Sequence, residues 1–121
     1  MKTLTVILVC ALLGACVTPN PQAIGPYPTD SEQIVREHVR QAFFDPYSIR
    51  DARITPPHEG QIFFQQGWIV CLEANAKNRM GGYTGLKRTA FLINNNRVVN
   101  MLADAPLCNS SELYYKAITF S

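Results

Sequence analysis

The chain has 121 residues, with 11 Lys and Arg against 9 Asp and Glu, a formal charge of +2 and 47% apolar residues. This length allows one small domain. The near balance of charges excludes a dedicated nucleic-acid-binding protein, which needs a dense basic surface. The apolar content excludes an intrinsically disordered chain. The composition therefore predicts a small folded protein that does not bind nucleic acid.

The first 15 residues are typical of a secretory signal peptide. Lys2 is followed by an apolar run over residues 4–15, which is shorter than the roughly 20 residues that cross a bilayer. The run ends in Leu13-Gly14-Ala15-Cys16, which resembles the lipobox of bacterial lipoproteins. That resemblance implies cleavage before Cys16 and lipidation of its sulfur. The alternative is an ordinary signal peptide cleaved near Ala15, which leaves Cys16 as a free thiol.

The residue that follows Cys16 bears on localisation. In lipoproteins, Asp at this position is the usual signal for retention in the inner membrane, and this chain has Val17. The resemblance therefore implies an outer-membrane lipoprotein that faces the periplasm. Residues 17–28 hold four of the eight prolines and no charge, which predicts an extended tether. The predicted organisation is a signal peptide over residues 1–15, a lipidated Cys and tether over residues 16–28, and one domain over residues 29–121.

Two of the four cysteines remain for the domain. Cys10 leaves with the signal peptide and Cys16 takes the lipid, so Cys71 and Cys108 are predicted to form a disulfide in an oxidising periplasm. The alternative is a metal-binding or catalytic thiol, but the chain has no C-x-x-C motif and no histidine near either cysteine in sequence.

The domain begins with a predicted amphipathic helix. Thr29-Asp30-Ser31-Glu32 matches a capping box, Glu32 and Arg36 form an i,i+4 pair, and Pro46 ends the helix. The apolar face is expected to hold Ile34, Val35, His38, Val39, Ala42 and Phe43.

Short strands are predicted after the helix, over residues 48–55, 61–65, 68–72, 87–93 and 97–102. Gly67 is expected to form the turn before the third of these strands, and Asn94-Asn95-Asn96 the turn of the last hairpin. Ser110 or Ser111 is expected to cap a short C-terminal helix that extends to Ile118, with a final strand over residues 118–120 as the alternative. The predicted fold class is α+β, with an N-terminal helix packed on a small antiparallel sheet of three to five strands.

A basic, glycine-rich segment is the candidate binding site. Residues 75–85 form a long predicted loop with three glycines, inside an acid-free stretch over residues 74–103 that carries five basic residues. Such a loop is suited to binding an anion or an acidic partner surface. The alternative is a structural one, in which the asparagines and glycines form turns and the basic residues are only solvated. The candidate binding residues are Asn75, Lys77, Asn78, Arg79, Gly81, Gly82, Tyr83, Thr84, Gly85, Lys87 and Arg88.

Two motifs carry a family resemblance. Asp45-Pro46-Tyr47-Ser48, and the segment from Val70-Cys71 through Asn75-Ala76-Lys77-Asn78 to Gly81-Gly82-Tyr83-Thr84-Gly85, resemble a group of small, uncharacterised proteobacterial outer-membrane lipoproteins. The resemblance implies a common fold and a functional role for residues 75–85, without an activity.

No catalytic site, metal site or cofactor is predicted. His58-Glu59 lacks a second histidine at metal-ligand spacing, His38 lies on the apolar helix face, and the carboxylates are scattered along the chain. The predicted function is that of a non-enzymatic outer-membrane lipoprotein, anchored by lipid, that serves as an accessory or interaction subunit of a cell-envelope complex with an envelope protein as partner. The alternative is an envelope inhibitor or ligand binder, for example of a lysozyme-like hydrolase, that acts through the basic loop.

Overall fold

The computed structural model describes residues 24–120 of the chain. The predicted signal peptide, the lipidation of Cys16 and the first part of the tether lie outside the described residues. The elements, in chain order, are α1 (Ser31–Ala42), a 3₁₀ turn (Pro46–Ser48), β1 (Arg50–Ile54), β2 (His58–Ile62), β3 (Gln65–Lys77), β4 (Tyr83–Asn94), β5 (Arg97–Leu102), a second 3₁₀ turn (Pro106–Asn109) and β6 (Lys116–Ala117).

The predicted α+β class is confirmed, although the sheet in the described region has six strands where three to five were predicted. The strand order is β5-β4-β3-β1-β6, and all pairings are antiparallel. The first part of β3 pairs with β2 and its later part with β1, so these two short strands share one side of the long strand. Residues 24–30 precede the helix, so α1 does not begin the described region.

Both faces of the sheet are covered, because side chains alternate along β3. Val70 and Leu72 face α1 and pack in one core cluster with Val35 and Val39. Ile69 and Cys71 point to the opposite face, where they pack against the segment that contains Ala105 and Cys108. The sequence predicted the helix on one face, and the covering segment on the other face was not predicted.

The predicted disulfide between Cys71 and Cys108 is confirmed. The two Cα atoms are 5.7 Å apart, and both residues are fully buried. The disulfide therefore links the central strand to the segment that covers its second face.

The predicted capping box was wrong. The helix begins at Ser31, with Asp30 at the N-cap, and the Asp30 side chain makes no capping hydrogen bond within the described region. The Glu32 carboxylate instead forms ion pairs with Arg36, at 3.8 Å, and with Lys116 of β6. The predicted i,i+4 ion pair between Glu32 and Arg36 is therefore present. In place of the predicted capping hydrogen bond, Glu32 binds Lys116, which is distant in sequence.

Of the two turns predicted between strands, the one at residues 94–96 is confirmed and the one at Gly67 is wrong. Asn95 and Asn96 have φ values of 50° and 61° and connect β4 to β5, as predicted. Gly67 does not form a turn but lies inside β3, where an added Cβ would come within 2.9 Å of the Ile93 carbonyl oxygen. The turn that was expected at Gly67 is formed by Phe63 and Phe64.

The predicted C-terminal helix was also wrong. Residues 110–118 contain no helix, and the nearest helical turn is the 3₁₀ turn Pro106–Asn109. The chain then forms the short edge strand β6, and the Ile118 N–H donates to the Ala52 carbonyl at 3.0 Å. Pairing with β1 satisfies these backbone groups, so the strand alternative is closer to the structure.

Residues 24–28 pack on the sheet, although the sequence assigned them to the tether. The Trp68 indole N–H donates to the Gly25 carbonyl at 3.3 Å, and the Tyr27 ring meets the Trp68 ring edge-on at 5.0 Å. Pro28 is fully buried. Across the region that the structure describes, no helix is both long enough and apolar enough to span a bilayer.

Candidate functional site

The connection between β3 and β4 is shorter than the sequence predicted. Five residues, 78–82, join the two strands, and the rest of the segment 75–85 belongs to the strands themselves. Asn78 shapes this turn, because its Oδ1 accepts hydrogen bonds from the N–H groups of Met80 at 3.0 Å and Gly82 at 3.1 Å. Gly81 has φ +80°, which is a left-handed conformation that glycine adopts without strain.

An irregularity in strand pairing lies just below the turn, between Asn75 and Lys77. Asn75 Oδ1 accepts from the Gly85 N–H at 3.1 Å, and the Thr84 hydroxyl donates to the Ala76 carbonyl at 3.4 Å. Gly85 has φ +89°. The structural alternative therefore accounts for Asn75, Asn78, Thr84, Gly81 and Gly85, which hold the backbone of the hairpin in shape.

Three cationic side chains lie against aromatic rings at this end of the sheet. The Arg50 guanidinium carbon is 3.6 Å from the centre of the Tyr83 ring, and the Lys77 ammonium is 5.4 Å from the same centre. Arg79, in the turn, lies 5.8 Å from the centre of the Phe44 ring. We call these five residues the cation–aromatic surface.

The two motifs of the family resemblance meet at this surface. The Tyr83 hydroxyl donates to the Ser48 carbonyl at 2.9 Å. Ser48 in turn closes the 3₁₀ turn, since its hydroxyl and its N–H both donate to the Asp45 carbonyl. The segment 45–48 therefore fixes the Tyr83 ring from one side while β3 and β4 fix it from the other.

Four cations of this region form no ion pair with a carboxylate in the described residues, although Asp51 is the chain neighbour of Arg50 and Asp104 shares a cavity wall with Lys87. Within residues 24–120, the ion-paired carboxylates are those of Glu32, Glu37 and Glu73. None of them pairs with the cationic side chains Arg50, Lys77, Arg79 and Lys87. A cluster of like charges with no internal partner attracts an anionic ligand or an acidic surface.

Arg88 is different from the other cationic residues of the predicted binding site, because its guanidinium already forms an ion pair within the protein. Its Nε donates to Glu73 Oε2 at 2.8 Å, and its Nη1 donates to the Cys108 carbonyl at 3.2 Å. Arg53 donates to the other Glu73 oxygen at 2.6 Å. The Tyr115 ring lies 4.9 Å from the Arg88 guanidinium carbon and 5.4 Å from that of Arg53.

The Glu73 side chain is only 7% exposed at the centre of this ion-pair cluster. Burial by itself would raise the pKa of the Glu73 carboxyl, but the hydrogen bonds and charges of Arg53 and Arg88 outweigh it and lower that pKa. The hydrogen bond to Glu73 raises the pKa of Arg88, and burial raises the pKa of Tyr115. The Glu73 carboxylate and its two arginine partners therefore remain charged at neutral pH. Their ion pairs and hydrogen bonds join β1, β3 and β4 to the C-terminal segment.

An apolar groove of about 290 Å³ lies at the same end of the sheet as the cation–aromatic surface. It lies between the C-terminal end of α1, the later part of β3 and the first part of β4. Its walls include Phe43, Ala74, Ala76 and Met101, and the Lys87 side chain lines it as well. Phe43 and Thr84, which also lines the groove, are the chain neighbours of Phe44 and Tyr83, so the groove lies at the same end of the sheet as the surface. Because successive side chains of a strand alternate, Tyr83 and Thr84 point to opposite faces of β4.

The other candidate groups are separate from this region. A cavity of about 370 Å³ lies at the start of α1, and there the Glu32 carboxylate is already bound to Arg36 and Lys116. His58 is half-buried in β2, and burial lowers its pKa. His38 packs edge-on against the Phe91 ring at 5.8 Å. In the part of the chain described, no three His, Cys, Asp or Glu side chains are grouped to hold a metal ion.

Sequence reasoning missed Phe44 and Arg50. Both lie close to the segment 45–48, which carries part of the family resemblance, so their nearness to that motif was the signal that could have identified them.

Comparison of the chain with protein-family models, curated proteins and solved structures found no significant match.

Proposed function

We propose that the protein is a non-enzymatic, lipid-anchored protein of the outer membrane that faces the periplasm and binds an acidic protein partner in the cell envelope. One observation carries the proposal: Arg50, Lys77, Arg79 and Lys87 form no ion pair with a carboxylate in the described region. The first three lie against aromatic rings, and Lys87 lines an apolar groove at the same end of the sheet.

The arrangement has the parts of a protein-binding site. Aromatic and arginine side chains are enriched among the residues that contribute most to binding, and an apolar groove can accept one anchoring side chain from the partner. The surrounding cations then select an acidic partner and accelerate the encounter. Because Tyr83 is held at both ends of its side chain, little conformational entropy is lost when the partner binds.

The proposed location rests on the N-terminal sequence and on the cysteines. The lipobox-like segment ending in Cys16 supports a lipid anchor, since two or three acyl chains bind a membrane stably. A fully buried disulfide fits a protein that folds in an oxidising compartment such as the periplasm.

Crosslinking in intact cells tests this function. A photocrosslinking residue at position 80, where Met80 is 94% exposed, should give a defined adduct with an envelope protein. Arg79→Glu should reduce that adduct at least about tenfold, because it places a negative charge against an acidic partner. Arg97→Glu is the matched control, since Arg97 is an exposed cation in the hairpin at the other end of the sheet. Equal loss of the adduct in both variants would contradict the proposal.

The shape of the hairpin favours a second candidate, an inhibitor of a lysozyme-like hydrolase. Apart from Gly81 itself and its two chain neighbours, no described residue has an atom within 4 Å of the position that a Cβ of Gly81 would take, and Met80 is almost fully exposed. A narrow basic tip of this kind suits a cleft with acidic catalytic residues. If the purified protein inhibits lysozyme and Arg79→Glu abolishes the inhibition, this second function replaces the first.

A further inference from the structure

The turn between β2 and β3 exposes two large apolar side chains. Phe64 is 99% exposed and Phe63 is 65% exposed. No charged residue occurs between Glu59 and Glu73 in the sequence, so the turn and its flanking rungs are uncharged. Two adjacent exposed phenylalanines in an uncharged setting are costly in water and favourable at an apolar boundary.

Phe63 also adopts a backbone conformation that its side chain disfavours. Its φ is +55°, in the left-handed region that glycine and asparagine normally occupy. A phenylalanine at this position lowers the stability of the fold, and its side chain gains little from packing because it is mostly exposed. Packing within the free protein therefore does not explain why phenylalanine occupies this turn.

The N-terminal segment enters the domain close to this turn. Ile24 lines a shallow cavity with Glu59, Gly60, Gln61, Gln66 and Gly67. The next residue pair of these two strands, Ile62 with Gln65, is the last before the turn. Gly25 lies against Trp68 and Asn95 at the same end of the sheet.

The predicted lipid site is a short distance along the chain from this point. Cys16 and Ile24 are separated by eight Cα steps, which span at most about 28 Å when fully extended. The β3–β4 turn lies at the opposite end of the 13-residue strand β3, about 40 Å away. A membrane that held the Cys16 lipid would therefore be within reach of Phe63 and Phe64, with Arg79 at the far end.

We propose that the Phe63–Phe64 turn inserts into the surface of the bilayer that carries the Cys16 lipid and so holds the cation–aromatic surface away from the membrane. This inference rests on the lipid anchoring in the proposed function. The turn adds a second contact point to the anchor, which restricts the orientation of the domain as well as its distance from the membrane.

Quenching by brominated lipids tests the insertion. The full lipidated chain is reconstituted in vesicles of phosphatidylethanolamine and phosphatidylglycerol with brominated acyl chains, and fluorescence is compared with that of the parent chain, whose tryptophan is Trp68. Phe64→Trp should be quenched at least about twofold more than Tyr114→Trp, the matched control at another exposed aromatic position, 71% exposed in the structure. Equal quenching at the two positions would overturn the inference.

Two further measurements distinguish failure of the lipid anchoring from failure of the membrane insertion. Mass spectrometry of the membrane-bound protein should find acyl chains on Cys16, and their absence would overturn both the anchoring and the inference. Acylated protein that floats with the vesicles, but whose Trp at position 64 is not quenched, would overturn the inference and leave the anchoring intact.

The variant Phe63→Asn distinguishes membrane insertion from a structural role. Phe63→Asn should raise the melting temperature, because Asn accepts φ +55° more readily. Combined with Phe64→Trp, it should lower the quenching of the Trp at position 64 by about half relative to Phe64→Trp alone. A lower melting temperature with unchanged quenching would show that Phe63 serves the fold and would overturn the inference.

Discussion

Replacement of Glu73 by Gln should lower the free energy of unfolding by about 2 to 3 kcal/mol. The carboxylate accepts two hydrogen bonds from Arg53 and one from Arg88, at 2.6 to 3.0 Å. An amide at this position keeps the size of the side chain but loses its charge and one of its two acceptor oxygens.

The magnitude follows from the exposure of the three partners. Removing one member of a fully buried ion pair costs about 3 to 5 kcal/mol. The Glu73 side chain is 7% exposed, but those of Arg53 and Arg88 are 47% and 31% exposed, so water compensates part of the loss. A loss of about 2 kcal/mol corresponds to a fall in melting temperature of roughly 8 to 16 °C in a domain of this size.

Urea denaturation of the oxidised protein, followed by circular dichroism, measures this loss. Glu37→Gln is the matched control, because Glu37 is exposed on α1 and pairs with Arg40 at 3.4 Å. It should change the free energy of unfolding by less than about 0.5 kcal/mol. A change in Glu73→Gln as small as that of the control would refute the reasoning.

The pH dependence gives a second check on the same cluster. The pKa of Glu73 is lowered in the folded protein, below the value of about 4.3 in an unfolded chain. Its stabilisation is therefore fully present above about pH 4.3 and is lost as the pH falls through the folded value. The denaturation curves of the parent and of Glu73→Gln should converge on acidification, and a constant difference between them would contradict the assignment.

Three further predictions concern the disulfide, His58 and Tyr83. Reduction of the Cys71–Cys108 bond, which closes a loop with a sequence separation of 37, should cost about 4 kcal/mol in urea denaturation, and equal midpoints with and without reductant would contradict this. Burial lowers the pKa of His58, so its stabilising effect is present above about pH 6.5 and is lost below it. His58→Gln should therefore weaken the fall in melting temperature between pH 7.5 and 5.5, and an unchanged fall would refute a role for His58. Tyr83→Phe removes the hydrogen bond to Ser48 and should cost about 1 kcal/mol while Arg50 stacking is kept; no loss on thermal unfolding would contradict it.

The features that were predictable from the sequence are those encoded by local patterns. The apolar spacing of Val35 and Val39 gave the helix, and the alternation from Trp68 to Leu72 gave the core of the long strand. Asn95 and Asn96 marked a hairpin turn through their tolerance of positive φ. The disulfide followed from the number of cysteines that were left for the domain.

The features that were missed depend on contacts distant in sequence. Phe63 and Phe64 have high strand propensity, and nothing local predicts a turn with positive φ at Phe63. Gly67 resembled a turn residue, but its role is the close approach of β4 to β3. The ion pairs of Glu73 arise from strand register, because Arg53 and Arg88 lie directly opposite it on the two neighbouring strands.

In the candidate binding segment, too, local sequence patterns indicated the region but not the long-range contacts within it. Asn75 and Asn78 looked like ligand contacts, but their side-chain oxygens are used by the hairpin backbone. Arg50 was missed because it lies 33 positions before Tyr83 in the numbering, and the strand pairing of β1 with β3 brings the two together. Sequence located the region, while the fold determined which side chains remain available.

The long strand β3 also limits how the molecule can change during evolution. Val70 and Leu72 are needed on one face, and Ile69 and Cys71 on the other. Insertion of a single residue between the two ends of the strand would reverse the faces beyond it and expose the core. Unless a β-bulge absorbs the extra residue, the spacing between the turn at Phe64 and the turn at Arg79 therefore changes by pairs of residues, in increments of about 7 Å.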